Sequence, residues 1–289
     1  MKLSELFSDD TRHDLLEIAR RAVDGLRPDA IQKIVDSETS YFEQAIQVTV
    51  KNKIPDTSQI PIENPTYWLK IPDVIACFVD MEGSTKLSAT VHDQGTAKTF
   101  RYFTNTAIRI FHEFEAPYID VKGDGVFALF DSDRIYTALA SVVSFKTFVC
   151  NEFTPKVRGK TGLDIGGHFG IDQRTVLVRK LGLKYVEGRT DRQNEVWAGK
   201  PINMAAKLAS CSTGNTLWVS ERFYAKLKNP KATSSCGCPD GVVKPLWHEE
   251  DVSTDDRFDF AKAWVLGSNW CKTHGKGFCR DLVKLDEGA

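Results

Sequence analysis

Hydrophobic and polar positions along the chain follow two periods, which divide it into helices, strands and connecting segments. In residues 1–52 apolar positions such as Leu15, Ile18, Ile31 and Ile34 recur at helical spacing, so the pattern predicts one or two amphipathic helices. Residues 53–73 hold four prolines among polar turn formers, which favours a linker or a draped surface segment. We therefore interpret residues 1–73 as a helical N-terminal extension with its linker.

A compact alternation of strand and helix patterns begins at residue 74. The expected strands cover residues 74–80, 118–121, 125–130, 162–170 and 216–219, and the expected helices cover residues 93–115, 133–152 and 200–210. Segment 175–187 is expected to form an extended flap. The order strand–helix–strand–strand–helix–strand is the split βαβ order of a ferredoxin-like sheet, so we expect an α+β domain over residues 74–228. Residues 229–289 form a looser, Cys-bearing flank that returns to a last strand at residues 263–267.

Composition narrows the choice of partners and of compartment. The formal net charge is −1, so no global field attracts the chain to nucleic acid or to an anionic membrane, and neither is an expected partner. The sequence contains no run of about 18 apolar residues that would span a membrane and no apolar stretch typical of a signal peptide. Seven cysteines are an odd number, which favours reduced thiols and a cytoplasmic location.

Two aspartates stand where predicted strands end. Asp80 follows the apolar run VIACFV, and Asp124 lies in the sequence KGDG. Two carboxylates at neighbouring strand ends repel each other unless a cation lies between them, and oxygen ligands suit hard divalent cations. The small residues Gly83–Thr85 open a helix and offer backbone N–H groups to an anion. The residues therefore predict a divalent metal that holds a polyphosphate, and helix capping by Asp80 is the alternative.

Four motifs, in this order, resemble the catalytic domain of class III nucleotidyl cyclases: FVDMEGST, KGDG, LDIGGHFG and VWAGKPINMAAKL. The resemblance covers residues 74–228 and extends to the last strand. It implies a ferredoxin-like α+β cyclase fold behind the N-terminal extension. It also implies attack of a ribose 3′-hydroxyl on the α-phosphorus of a nucleoside triphosphate, which yields a 3′,5′-cyclic nucleotide and pyrophosphate.

The resemblance assigns a metal site as well. Two Mg²⁺ or Mn²⁺ ions would be held by Asp80, the backbone carbonyl of Met81 and Asp124. One ion would lower the pKa of the 3′-hydroxyl, and the other would hold the triphosphate. The residues around the first aspartate that would contact the triphosphate are Phe78, Glu82, Gly83, Ser84 and Thr85.

Asn203 and Lys207 are four residues apart, so they share one face of a helix. In the cyclases the matching asparagine and arginine come from the partner subunit and stabilise charge in the transition state. The resemblance therefore implies a homodimer with composite active sites. Here lysine replaces the arginine, and it keeps the charge but lacks the bidentate fork. A solvated helix face is the alternative interpretation.

By the resemblance, Asp120 and either Glu195 or Val196 occupy the positions that select the base in that family, and we take Glu195 as the second selector. Adenylate cyclases usually have a lysine at the first position, so this pair does not read adenine in the usual way, whereas carboxylates accept from an N–H group of a base. With the N-terminal extension and the sequence WAGKPINMAAK, the chain resembles the bacterial pyrimidine cyclases of antiphage defence. That resemblance favours UTP over CTP as substrate and implies an effector that responds to the cyclic nucleotide. The alternatives are an adenylate cyclase with atypical base selectors and a catalytically silent, nucleotide-binding signalling module.

The C-terminal flank contains a candidate zinc site. Its expected ligands are Cys236, Cys238, Cys271 and Cys279. His274 lies close by in the sequence as a spare ligand. Reduced cysteines in a loop-rich flank are the alternative. In the third motif, His168 is interpreted as a packed strand histidine rather than a ligand.

Overall fold

The computed structural model describes residues 28–183 and 192–287. The helices are α1 (Pro28–Glu43), α2 (Ser84–Thr90), α3 (Asp93–Glu113), α4 (Ile135–Phe148), α5 (Thr154–Thr161), α6 (Lys200–Cys211), α7 (Glu221–Tyr224), α8 (Pro230–Thr233) and α9 (Gly275–Glu287). The strands are β1 (Gln47–Val50), β2 (Tyr67–Glu82), β3 (Tyr118–Lys122), β4 (Gly125–Phe130), β5 (Gly166–Gly182), β6 (Gln193–Gly199), β7 (Leu217–Ser220), β8 (Trp247–Asp251) and β9 (Lys262–Leu266). Predictions for residues 1–27 and for residues 184–187 of the flap lie outside the described part of the chain.

The chain divides into two compact units. The first unit contains α1, the residues up to Gln47, and Glu63–Tyr67. Apolar side chains recur at helical spacing along α1, and Ile31, Ile34 and Val35 are exposed. The second unit contains Val48–Ile62 and the chain from Trp68 onward, and it holds the β-sheet and the remaining helices.

The described strands form a nine-stranded sheet with the order β3-β4-β2-β5-β7-β9-β8, while β1 pairs with β2 and β6 pairs with β5. Strand β2 pairs antiparallel with β4 on one side and with β5 on the other. Strands β5 and β7 run parallel. Strands β2, β3, β4 and β5, with α3 and α4 between them, follow the split βαβ order, so the α+β ferredoxin-like prediction is confirmed.

The two faces of the sheet differ because side chains alternate along each strand. On one face of β2 the side chains of Ile75, Cys77, Val79 and Met81 are at most 2% exposed and belong to the main core. This face packs against α3 and α4. Phe103 and Phe111 of α3 and Phe145 of α4 belong to the same core. The intervening residues of β2 point to the opposite face.

Helix α6 lies on that opposite face, directly against β5. A Cβ atom at Gly170 would lie 2.0 Å from the carbonyl oxygen of Ala205, so this close approach requires glycine. Met204 and Leu208 of α6 pack in a second apolar cluster, together with Ala263 of β9. The packing of this helix leaves Asn203 exposed.

Several elements differ from the sequence-based expectations. Strand β2 begins at Tyr67 rather than at residue 74, so the end of the expected linker is strand. A register shift between Ile71 and Val74, where Asp73 has a φ of 51°, interrupts its alternation and explains the misreading. Strand β5 continues to Gly182 and takes up most of the expected flap.

The helix expected over residues 133–152 ends at Phe148 and leads through a π-helical turn, Val149–Phe153, into α5. The C-terminal flank is more regular than expected, since it contains β8 and α9 besides the expected last strand. Among the described helices, none is both long and apolar enough to cross a membrane.

Candidate active site

The two predicted metal-binding aspartates lie next to each other. Asp80 stands near the end of β2 on the face opposite the main core, and Asp124 lies in the turn between β3 and β4. Antiparallel pairing of Val79 with Val126 brings this turn beside Asp80. A Cβ atom at Gly125 would lie 2.7 Å from the Phe78 ring and 3.1 Å from Asp80 Oδ1, so glycine leaves room for both side chains.

The electrostatic environment of Asp80 disfavours the ionised form of its carboxyl. Burial and the negative charge of Asp124 raise the pKa of the Asp80 carboxyl to about 6, against smaller opposing effects of His168 and of the Met81 backbone N–H. Two half-buried carboxylates that repel each other form a donor set that fits a hard divalent cation. The Met81 side chain is 2% exposed and points into the core, so only its backbone groups are available as ligands.

His168 is a strand histidine, as the sequence suggested, and it borders the aspartate pair. It lies directly opposite Asp80 in the β2–β5 ladder. Its Nδ1 atom is buried and has no hydrogen-bond partner among the described residues. The spacing of the GGHFG motif carried no signal for this contact, because the contact depends on the register of two strands far apart in the sequence.

The five residues expected to contact a triphosphate surround the same end of β2. Phe78 and Glu82 share a sheet face with Asp80, and the Phe78 ring lies 4.2 Å from that of Phe127 between ring centroids. Gly83 has a φ of 81°, a left-handed conformation that favours glycine, and it leads directly into α2 with Ser84 and Thr85.

The two expected base selectors lie near one tyrosine. Burial, together with the negative charges of Asp120 and Glu195, raises the pKa of Tyr118 to about 12. The Tyr118 ring packs against Trp197, with the ring centroids 4.8 Å apart. The structure therefore brings Asp120 of β3 and Glu195 of β6 to one aromatic pair.

Each of these carboxylates has a lysine partner. Lys122 Nζ lies 2.9 Å from Asp120 Oδ2, and Lys180 Nζ lies 3.8 Å from Glu195 Oε1. Sequence reasoning missed the aromatic pair and both lysines. A signal existed in the alternation, because the tyrosine precedes Asp120 by two strand residues and the tryptophan follows Glu195 by two.

Asn203 and Lys207 lie on α6, apart from the aspartate pair. Asn203 is exposed, and Lys207 Nζ donates a hydrogen bond of 2.8 Å to the backbone carbonyl of Arg257. Within the described residues, no hydrogen bond or ion pair joins either side chain to Asp80 or Asp124. In a single chain, the aspartate pair and the pair Asn203 and Lys207 are therefore not in direct contact.

A second cluster lies in the C-terminal flank. Cys236, Cys238, Cys271 and His274 place one potential ligand atom each within 4.8 Å of one another. The backbone N–H groups of His274 and Thr273 donate to the Cys271 sulfur and lower the pKa of its thiol to about 6.

The expected fourth cysteine, Cys279, is not in this cluster. It lies on α9, where its sulfur is 3.9 Å from Ser144 Oγ of α4. Its position in the second turn of the helix directs the side chain toward α4, so His274 takes the place that the sequence assigned to Cys279.

Comparison with known proteins identifies the family. No protein-family model matches the chain. It is 35% identical over 243 residues to a uridylate cyclase from Propioniciclava tarda, an alignment that covers 82% of this chain and 77% of the relative. A uridylate cyclase from Micromonospora echinofusca is 31% identical over 243 residues, which cover 79% of this chain and 75% of the relative.

The fold agrees with that relationship. The crystal structure of the adenylyl cyclase CyaB from P. aeruginosa matches with a TM-score of 0.54 at 14% sequence identity. The match covers 70% of this chain and 96% of that chain. At this identity the likeness concerns the fold alone. The chain belongs to the uridylate cyclase family, and its sheet and helices have the fold of a class III nucleotidyl cyclase domain.

Proposed function

We propose that the protein converts UTP to cyclic UMP and pyrophosphate. The observation that carries the proposal is the pairing of Asp80 with Asp124 at one end of β2, in a chain of the uridylate cyclase family. The ribose 3′-oxygen bonds to the α-phosphorus, the bond from the α-phosphorus to the bridging oxygen of pyrophosphate breaks, and the proton of the 3′-hydroxyl passes to solvent. The atoms balance without a further reactant.

The aspartate pair supports divalent cations, Mn²⁺ or Mg²⁺, as cofactors. Asp80, Asp124 and the Met81 backbone would hold them, since the repulsion between the two carboxylates is relieved by positive charge. When bound, two such ions would supply the positive charge that acidifies the 3′-hydroxyl and neutralises the triphosphate. Phe78 and the segment Glu82–Thr85 are proposed to position the triphosphate beside them.

The carboxylate–lysine pairs near the rings of Tyr118 and Trp197 support recognition of uracil. Uracil presents an N3–H donor beside carbonyl acceptors. A carboxylate accepts from the N–H, and a neighbouring lysine donates to a carbonyl. Asp120 with Lys122, and Glu195 with Lys180, each present this combination next to the aromatic ring.

We further propose that the active enzyme is a homodimer with composite sites. Asn203 is exposed and Lys207 is held by the Arg257 carbonyl, so neither contacts the aspartate pair of its own chain within the described residues. In a dimer, these two residues would reach the aspartates of the partner subunit and stabilise negative charge on the transferring phosphate.

The resemblance of the motifs to pyrimidine cyclases of antiphage defence supports a signalling role for the product. We propose that cyclic UMP acts as a second messenger in the cytoplasm and binds an effector protein. A phage-infection assay that compares cells carrying the intact gene with cells carrying an Asp80→Asn version tests this role. Equal phage titres in both would contradict it.

Substrate identity is tested by incubating the full chain with Mn²⁺ and each of the four nucleoside triphosphates. We expect cyclic UMP and an equal amount of pyrophosphate, with much slower turnover of the other three. Cyclic AMP as the sole product would overturn the pyrimidine proposal. Binding of UTP without pyrophosphate release would instead identify a silent nucleotide-binding module, an alternative favoured by the lysine at position 207.

A further inference from the structure

We propose that Cys236, Cys238, Cys271 and His274 bind one structural zinc ion. Three thiols and one imidazole are a donor set typical of tetrahedral structural zinc sites. Their ligand atoms lie within 4.8 Å of one another, and Cys238 Sγ lies 3.2 Å from His274 Nδ1. Ligand atoms around tetrahedral zinc are about 3.5–3.8 Å apart, given Zn–S bonds of about 2.3 Å and Zn–N bonds of about 2.0 Å. Small adjustments of these distances, a lengthening for the pair Cys238 and His274 and a shortening for pairs further apart, would therefore complete the site.

The backbone of each ligand-bearing segment is shaped for this convergence. Gly237 stands between the first two cysteines with a φ of 84°, a left-handed conformation that lets both sulfurs face one point. In the second segment, the N–H groups of Thr273 and His274 donate to the Cys271 sulfur. Hydrogen bonds of this kind orient a metal ligand and are typical of the surroundings of metal sites.

The second segment is also anchored to the core by contacts that do not involve the cluster. Lys146 of α4 is fully buried, and its Nζ donates to the carbonyl of Gly267 at 2.8 Å, the carbonyl of Ser268 at 3.0 Å and Asn269 Oδ1 at 2.8 Å. Trp270 donates from its backbone N–H to Thr147 Oγ1 at 3.1 Å. Cys271 is therefore held in place next to α4.

The position of the cluster indicates a stabilising role rather than a catalytic one. It borders a cavity of about 290 Å³ between α4 and α9, lined by apolar residues such as Leu139 and Leu282. Four protein ligands leave no open coordination position, which is the pattern of structural zinc. The metal would fasten the loop after α8 to the segment before α9. Together with the ion pair between Lys231 of α8 and Asp281 of α9, zinc would stabilise the attachment of this flank to the domain.

The zinc content of the intact chain, purified under reducing conditions without chelator, tests the proposal. We expect about one zinc per chain by elemental analysis. Replacement of zinc by Co²⁺ should give an intense thiolate-to-cobalt absorption band. Neither measurement depends on catalytic activity.

Variants identify the ligands. Cys271→Ser and His274→Ala should lose most of the zinc, whereas His274→Cys should retain it because four thiolates also bind zinc tetrahedrally. Cys279→Ser is the matched control, since that thiol lies against Ser144 and should not affect metal content.

Three outcomes would overturn the proposal. The first is zinc well below one equivalent in both the wild type and His274→Cys. The second is an equal loss of zinc in Cys279→Ser and Cys271→Ser. The third is a disulfide between Cys236 and Cys238 in freshly purified protein. If a ligand variant does not fold, the metal content and cobalt spectrum of the wild type decide the question.

Discussion

Asp80 and Asp124 illustrate a conflict between stability and function at single residues. Burial and the neighbouring charge raise the pKa of Asp80, so its ionised form destabilises the folded protein when no cation is present. Such an arrangement persists in a protein when the unfavourable charge is needed for binding.

Replacing either carboxylate should therefore separate the two properties. Asp80→Asn and Asp124→Asn are expected to lower the rate of pyrophosphate release at least about 10²-fold, because charge stabilisation by the metal contributes several kcal/mol. Thermal unfolding in EDTA should occur at an equal or higher temperature for Asp80→Asn, since the repulsion is removed. Wild-type turnover in either variant would contradict the assignment of the metal site.

The proposed recognition of the base by Asp120 and Glu195 can be tested by removing each carboxylate. At least one of Asp120→Asn and Glu195→Gln should lower kcat/KM for UTP by about 10–100-fold, because the carboxylate that accepts from N3–H, the single N–H of uracil, is lost. Glu152→Gln is the control, since it removes a carboxylate from an exposed ion pair with Lys156 and should have little effect. Unchanged kcat/KM for all four triphosphates in both selector variants would argue against this base site.

The sequence predicts which residues carry chemistry better than it predicts which side chains lie next to one another. The aspartate pair could be predicted because Asp80 follows a recognisable strand and Asp124 lies in a turn between two glycines. The contact of His168 with Asp80 could not, because it depends on strand register. His274 lies three residues from Cys271 in one turn, whereas Cys279 lies further along a helix that directs it to Ser144, and sequence spacing alone did not separate these two cases.

At the scale of elements, α4 and the loop after β9 are joined by one buried lysine. Lys146→Met should destabilise the protein by about 2–4 kcal/mol, because it keeps the aliphatic stem but leaves buried acceptors without a donor. Chemical denaturation measures this difference. Lys160→Met, on the exposed surface of α5, is the control and should change the free energy of unfolding by less than about 0.5 kcal/mol. Equal stability of the two variants would contradict the role of Lys146.

The same lysine predicts a dependence on pH. Burial lowers the pKa of Lys146 to about 8 from an ordinary value of 10.5. Between these two values the unfolded chain holds more protons than the folded one, so the free energy of unfolding rises with pH by up to about 1.4 kcal/mol per unit. Lys146→Met lacks this contribution. The difference in free energy of unfolding between wild type and variant should therefore grow from pH 8 to pH 10. A constant or shrinking difference would contradict a lowered pKa of Lys146.

Element boundaries were predicted less well than element order. The run of apolar residues identified the centre of β2. Pro72 and Asp73 resemble a linker in the sequence, but in the structure they lie at a register shift within the strand. Strand β5 was divided into a strand and a flap because local patterning cannot show that both halves pair with β2. The order of strands and helices needed no such tertiary information.

At the scale of the whole molecule, the order of elements predicted the central sheet, and the motifs identified the family. The C-terminal flank could not be predicted in the same way, because β8 is a short strand with mostly exposed residues and α9 depends on its packing against α4. The proposed dimer, in contrast, was expected from the resemblance of the motif around Asn203 and Lys207, and the absence of direct contact between these residues and the aspartate pair of the same chain supports it.

Complementation between two defective chains tests that dimer. In a composite site, Asp80→Asn damages one half and Asn203→Ala damages the other. A heterodimer of these chains has one site with both halves intact and one site with both halves defective. At equal expression, random pairing places half of the chains in heterodimers, so we expect recovery of about a quarter of wild-type activity.

Co-expression of the two chains with different affinity tags, followed by measurement of pyrophosphate release, gives the result. The control pairs Asp80→Asn with Asp124→Asn. Both substitutions lie in the same half, so each site of that heterodimer is defective and no activity should return. Absence of recovery in the pair with Asn203→Ala, despite isolated heterodimers, would mean that each active site is built from one chain. Recovery in the control would mean that Asp80 and Asp124 of one site come from different chains. Recovery in the test pair alone would require Asn203 to act on the aspartates of the partner subunit.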